Sequence, residues 1–260
     1  MKMKRERTKT QSFGGTKREG HDATQFYSSR LYDGIPKEKK CKIIDNSEDI
    51  NEEYYGKILE IEDLLSNLPE ESIHLIILKI SDKKIDQIDV FIEKIAKLIS
   101  NLRILLINGG RLVVIIHNEY KERFFPLHSF IIPNIIKEGY LMRGEVILSY
   151  NNERISDRSK IKNNYDHGVV FSKNIYGRKK RDKKNEIEKT DTIERDDFIK
   201  FTKSIWNCTN EIKHWLKYLS RFLELYSFKE DSILILSDNN LDEFNKKCEK
   251  IRNNIIFSKI

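Results

Sequence analysis

Cysteine is scarce in this chain of 260 residues, and its three cysteines lie far apart at Cys41, Cys208 and Cys248. An odd number of scattered thiols predicts a reducing, cytoplasmic compartment and excludes a disulfide framework. The six histidines are equally scattered, so the spacing predicts no metal site. No apolar run approaches the roughly 20 residues of a membrane span, and the charged N-terminus predicts no secretory signal.

Glycine and proline are also rare, with 11 and 4 residues. Neither GxGxxG nor GxxxxGK occurs, which excludes the usual loops for dinucleotides and for nucleotide phosphates. A GxSxG nucleophile motif is absent as well. Gly109-Gly110 precedes a strand candidate instead of following one, so it is predicted to form a plain turn.

The net charge of +7 is concentrated in two segments. Residues 1–20 contain seven basic and two acidic side chains, and residues 173–184 contain seven basic and one acidic. The rest of the chain is therefore net acidic. Basic clusters of this kind suit a polyanion, most simply nucleic acid, and the alternative is a solvated tail and a solvated loop.

Apolar patterning predicts an open α/β sheet. Continuous β-branched runs predict strands at 58–61, 72–78, 112–116, 141–148, 168–172, 231–236 and 255–257. Helical spacing predicts helices over 85–105, 127–136 (with Gly139 after its C-terminus), 211–226 and 241–253. From Asp196 the spacing of Phe198, Phe201 and Ile205 is also helical.

Functional groups in such a sheet lie in loops at the carboxyl ends of the strands. Asp82 and Asp238 each follow a predicted strand, and each is either a catalytic group or a helix N-cap. His74 falls inside a buried strand and is predicted to be a hydrogen-bonded core histidine.

Several segments, in this order, resemble site-specific DNA methyltransferases that modify N4 of cytosine or N6 of adenine. They are GHDATQFYSSRLYDGI (20–35), LPEESIHLIIL (68–78), INGGRLVVII (107–116), PLHSFIIPNIIKEGYLMRGEVI (126–147), GVVFSK (168–173), DDFIKFTKSIW (196–206) and FLELYSFKEDSILIL (222–236). The resemblance is to members whose catalytic half precedes the half that binds S-adenosylmethionine.

This resemblance implies a Rossmann-like methyltransferase fold over residues 21–260. The expected architecture is a mostly parallel open sheet with helices on both faces, preceded by a disordered basic tail over residues 1–20. Residues 149–195 would form a polar and basic insert, which is a possible DNA-recognition region.

The catalytic motif of the family follows the strand LPEESIHLIIL. It has Ser or Asp and then Pro-Pro-Tyr, which hold the target amino group and stack on the flipped base. This chain has Lys79, Ile80, Ser81 and Asp82 there. The prolines and the aromatic ring are missing, and a cation replaces a hydrogen-bond acceptor.

The cofactor motif of the family follows the strand SILIL, with Asp-Pro-Phe and a Gly-x-Gly turn that lets the backbone approach the cofactor. This chain has Leu236, Ser237, Asp238, Asn239 and Asn240 instead. Lys259 lies near the place of the acidic residue that binds the ribose. The HPAPFP-like segment of the family is replaced by HWLKY, residues 214–218.

The loss of three motifs predicts a catalytically degenerate member without a cofactor. Its expected partners are DNA and an active methyltransferase or restriction endonuclease. The expected DNA-binding residues are Arg154, Arg158, Lys160, Lys162, Arg178, Lys179, Lys180 and Arg181. Two alternatives stay open: an active S-adenosylmethionine-dependent enzyme with unusual loops, and a structural partner subunit without DNA contact.

Overall fold

The computed structural model describes residues 58–81, 88–117, 126–150, 165–174, 193, 195–208, 214–237, 252 and 254–259. These segments contain eight strands and five helices. In chain order they are β1 (Ile58–Glu60), α1 (Ile61–Asn67), β2 (Ile73–Ser81), α2 (Ile88–Leu105), β3 (Leu106–His117), α3 (Leu127–Lys137), β4 (Leu141–Tyr150), β5 (Tyr165–Ser172), α4 (Arg195–Phe201), β6 (Ile205–Cys208), α5 (His214–Tyr226), β7 (Ile233–Leu236) and β8 (Ile255–Lys259).

The strands form one sheet in the order β1-β8-β7-β2-β3-β5-β4-β6. Every neighbouring pair is parallel except for the two pairs made by β5, which runs antiparallel to β3 and to β4. The predicted architecture, a mostly parallel open sheet, is confirmed. We call the end of the sheet where the parallel strands finish its carboxyl end. Because β5 is antiparallel to the other strands, it begins at this carboxyl end.

Both faces of the sheet are covered, as the continuous apolar runs require. Alternate residues of each strand enter different cores. One core lies under α4 and α5 and contains Leu75, Ile77, Val113, Ile115, Leu219, Phe222 and Leu223. The other lies under α1, α2 and α3 and contains Ile76, Leu78, Val114, Ile116, Ile99, Leu102, Ile131 and Ile135.

Gly109-Gly110 is not a turn, so that prediction is wrong. Both glycines lie inside β3, where Ile73 of β2 pairs with Leu106 but Leu75 pairs with Arg111. β3 therefore advances five residues while β2 advances two, which is a bulge. Gly109 makes this possible with a φ of 77°, a conformation that residues with a Cβ rarely adopt.

Two other element boundaries differ from those that the apolar pattern predicts. Ile205 does not continue a helix, because α4 ends at Phe201 and Ile205 begins the edge strand β6, which pairs with β4. β5 begins at Tyr165, three residues before its predicted start at Gly168. Gly139 does follow α3 as predicted, with a φ of 86° and its N–H donated to the Ile136 carbonyl. The predicted helix over 241–253 lies outside the described residues, apart from Arg252.

Candidate functional site

The segment that corresponds to the family's catalytic motif is largely a strand in this protein. Lys79, Ile80 and Ser81 continue β2 and pair in parallel register with Ile115, Ile116 and His117 of β3. Ile80 is 1% exposed and packs into the core under α2 and α3, whereas Lys79 is partly exposed. Without proline, which removes a backbone donor and is confined to the margins of sheets, β2 can extend this far. Asp82 lies outside the described residues.

The segment that corresponds to the cofactor motif begins with two buried residues. Leu236 ends β7 and pairs with Leu78 on one side and Ser258 on the other. Ser237 is fully buried, and its backbone N–H donates to the Ser258 carbonyl at 3.2 Å. Asp238, Asn239 and Asn240 lie outside the described residues. Strand β8 then extends to Lys259.

All eight predicted DNA-binding residues also lie outside the described residues, but the strands fix where their segments attach. The segment with Arg154, Arg158, Lys160 and Lys162 joins the end of β4 to the start of β5, and both of these points lie at the carboxyl end of the sheet. The segment with residues 178–181 follows β5 and therefore attaches at the opposite end.

The structure brings together an imidazole and a carboxylate that sequence spacing did not connect. His117 ends β3, and its Nδ1 lies 2.5 Å from Oδ1 of Asp166 at the start of β5. An ionised carboxylate can only accept, so this contact orients the imidazole with Nδ1–H as the donor. The two residues are 49 positions apart and meet only because β3 and β5 pair in antiparallel register.

A second histidine cluster lies on the opposite face of β5, because consecutive strand residues alternate between faces. Nδ1 of His167 lies 2.5 Å from Oε1 of Glu145 on β4. The ring of His128, in the first turn of α3, stacks on His167 with centroids 3.9 Å apart and planes 20° apart. Tyr165 meets the His167 ring edge-on at 5.3 Å.

The electrostatics of this cluster favour the uncharged form of the His128 imidazole. Burial, and then the neighbouring His167, lower the pKa of His128, whereas Glu145 opposes this shift. Nε2 of His167 is buried and has no hydrogen-bond partner within the described part of the chain. No group of three or more His, Cys, Asp or Glu side chains is placed to hold a metal ion among the residues that the structure describes.

His74 is the core histidine that the sequence predicts. It is 1% exposed, its Nδ1 accepts the Ser232 backbone N–H at 3.1 Å, and its Nε2 lies 3.7 Å from Asp231. It therefore helps to join β2 to the start of β7. In the described ranges, no helix combines the length and apolar content needed to span a membrane.

Solved structures on which this chain superposes include proteins named as DNA methylases. The chain superposes on TTHA0409 of Thermus thermophilus, named as a DNA modification methylase and solved with S-adenosyl-L-methionine, with a TM-score of 0.63 and 19% identity over 78% of this chain and 85% of that one. The chain has a methyltransferase fold.

Two further structures support the same fold. PvuII DNA methyltransferase, named as cytosine-N4-specific, matches with a TM-score of 0.58 and 14% identity over 78% of this chain and 80% of its own. M1.HpyAVI, solved with SAM, matches with a TM-score of 0.52 and 12% identity over 78% of this chain and 89% of its own. No model of a known protein family matches the chain, and no curated protein matches by sequence.

Proposed function

We propose that this protein uses a methyltransferase fold to bind duplex DNA and does not transfer methyl groups. The observation that carries the proposal is the extension of β2 through Ile80, whose side chain is buried in the core. In the methyltransferases that the sequence resembles, this segment must hold a flipped base. A paired strand with a buried aliphatic side chain offers no such surface.

The chemistry of Lys79 also argues against methyl transfer. Holding a target amino group requires acceptors, because the amino group donates both of its protons, and a lysine ammonium has three donors and no acceptor. Ile80 supplies no polar side chain, and its backbone lies in the ladder with β3. Each lost contact to the base is worth about 1–3 kcal/mol, and such losses act together on one transition state.

The residues at the end of β7 do not fit S-adenosylmethionine. A Gly-x-Gly turn allows close approach of the backbone to the cofactor, and this chain has Asn239 and Asn240 in that segment. Ser237, which precedes them, is fully buried and bonded to β8. We therefore infer no methyl-transfer step for this protein.

DNA binding is supported by charge and by placement. The segment with Arg154, Arg158, Lys160 and Lys162 attaches at the carboxyl end of the sheet, where proteins with parallel sheets bind ligands. The similar structures carry DNA methylase names. An active methyltransferase or restriction endonuclease is the partner that this role would serve.

A gel shift with duplex DNA at increasing salt tests the proposal. If four cations contact phosphates, affinity should fall about 100-fold between about 50 and 200 mM salt. Replacing the four basic residues at 154, 158, 160 and 162 by Gln should abolish most of this salt dependence. The matched control replaces four exposed lysines on α2, α3 and the segment after α4: Lys94, Lys97, Lys137 and Lys203.

Three outcomes would contradict the proposal. Absence of any shift in the unaltered protein would favour a structural subunit without DNA contact. Equal losses in the two quadruple variants would mean that only overall charge matters. Transfer of a labelled methyl group to DNA that disappears in Asp82→Ala would indicate an active enzyme.

A further inference from the structure

The end of the sheet opposite its carboxyl end, which we call the amino end, carries exposed apolar side chains around an arginine. The guanidinium of Arg103, in the last turn of α2, lies against Gly139, where an added Cβ would meet Nη2 of Arg103 at 3.4 Å. Three apolar residues lie within three positions of this contact: Ile104, Ile136 and Met142, which are 49%, 47% and 42% exposed. We call these three side chains and Arg103 the Arg103 surface.

No described side chain neutralises the charge of Arg103. Its Nε is buried and has no hydrogen-bond partner within the described ranges, and the ion pairs found there do not include it. Tyr140 lies nearby, but its hydroxyl donates to the Ile99 carbonyl at 3.2 Å and burial raises the pKa of its phenol, so it is uncharged at neutral pH. Because buried donors in native proteins normally have acceptors, the guanidinium is suited to an acceptor from another segment.

An exposed apolar surface around this guanidinium fits a segment that brings both apolar side chains and a carboxylate. Residues 22–33 of this chain have that composition. Between Asp22 and Asp33 they carry four large apolar or aromatic side chains: Phe26, Tyr27, Leu31 and Tyr32. Arg30 is the one basic residue among them, so the net charge of the segment is −1.

The length of the chain and the point where it enters the sheet allow this segment to reach the Arg103 surface. β1 begins at Ile58 and is parallel to its neighbour, so the preceding residues join the sheet at its amino end. Strand β3, which follows α2, is four strands away from β1, and β4, which follows α3, is six away. These separations are roughly 20 to 30 Å. Residues 34–57 span up to about 80 Å when extended.

We propose that residues 22–33 dock on the Arg103 surface of their own chain, with apolar side chains on Ile104, Ile136 and Met142 and an aspartate on Arg103. A second copy of the chain is a poorer occupant. A two-fold contact centred on Arg103 would bring its guanidinium beside its own copy, and like charges repel. Docking would also leave residues 1–20 at the end of the sheet where the segment with residues 178–181 attaches.

Hydrogen exchange followed by mass spectrometry tests the docking in the full chain and without DNA. In the unaltered protein, the amides of residues 26–33 should exchange about tenfold more slowly than the chemical rate. Ile136→Asp places a charge in the apolar surface and should abolish this protection. Ile199→Asp is the matched control and should preserve it, because Ile199 is 42% exposed on α4, on the other face of the sheet.

Two further variants test the contact between Arg103 and an aspartate. Arg103→Gln, and the joint replacement of Asp22 and Asp33 by Asn, should each reduce the protection about threefold. Their combination should reduce it no further than either change alone, because both remove the same contact.

The docking is overturned if residues 26–33 exchange at the chemical rate in the unaltered protein, or if Ile136→Asp leaves their protection unchanged. It is also overturned if Ile199→Asp removes the protection equally, or if the protection grows with protein concentration, which would indicate a second copy. Additive losses in the combined variant would contradict the Arg103–aspartate contact. Because Met142 is also exposed, Met142→Asp repeats the Ile136→Asp test if that variant does not fold.

Discussion

Ile80 lies in register beside Ile116 in the middle of the sheet, and both side chains are buried in the core under α2 and α3. The pair extends the β2–β3 ladder into the segment where the resembling methyltransferases have prolines. Ile80 is therefore part of the framework of the sheet, through its buried side chain and its place in the backbone ladder.

The first prediction concerns this extension directly. Ile80→Pro should destabilise the fold by about 3 kcal/mol or more, since proline removes a backbone donor and restricts φ within a paired strand. Ile80→Val, the matched control, should cost only about 1 kcal/mol for one lost methylene. Urea unfolding gives both free energies. An unfolding free energy that proline leaves unchanged would mean that residue 80 behaves as a loop residue.

The second prediction uses two glycines in neighbouring strands. A Cβ at Gly168 would lie 2.9 Å from Cζ of Phe222, which is fully buried. Gly168→Ala should therefore destabilise by roughly 1–3 kcal/mol through overpacking.

Gly144 on β4 provides the control, because a Cβ there meets nothing within 4 Å. Gly144→Ala should change the unfolding free energy by no more than about 0.5 kcal/mol. Thermal or urea unfolding of the two variants side by side checks the contrast. Equal effects would show that α5 does not pack against β5 as described.

The third prediction concerns the ion pair at the other end of the sheet. Nζ of Lys173 donates to Glu71 at 2.8 Å and to the Leu106 carbonyl at 2.7 Å, and its side chain is only 11% exposed. Lys173→Met should cost roughly 1–3 kcal/mol because it removes the cation that pairs with Glu71 and the side-chain donor to the buried Leu106 carbonyl.

An exposed lysine pair serves as the comparison. Lys200 contacts Asp197 at 2.9 Å with both side chains largely in solvent. Lys200→Met should therefore cost at most about 0.5 kcal/mol. Urea unfolding measures the loss of unfolding free energy in each methionine variant. Similar losses in the two variants would contradict the conclusion that Lys173 is buried and Lys200 is exposed.

Apolar patterning was sufficient to predict the central strands and most helices. Runs such as Ile73–Leu78 are long, β-branched and buried on both faces, so no tertiary contact competes with their local preference. β6 was missed because Ile205 continues a helical spacing and becomes a strand only by pairing with β4. The bulge at Gly109 depends on the register between β2 and β3, which the sequence of β3 alone does not contain.

The histidine clusters show the same limit at the candidate site. His117 and Asp166, like His128, His167 and Glu145, come from separate elements, and strand order decides which of them meet. Local spacing could identify each as a titratable group but could not pair them. By contrast, the absence of prolines after Leu78 was visible in the sequence. Its structural consequence is that β2 continues through Ser81 beside β3.

The central claim is that this protein does not transfer methyl groups. Isothermal titration calorimetry with S-adenosylmethionine tests it most directly, because methyl transfer requires that the cofactor binds. The titration uses the folded full-length protein, with and without duplex DNA, and an active amino-group DNA methyltransferase as the positive control. We predict no heat of binding up to millimolar cofactor in either condition. Saturable binding with a micromolar Kd would contradict this claim and favour an active S-adenosylmethionine-dependent methyltransferase.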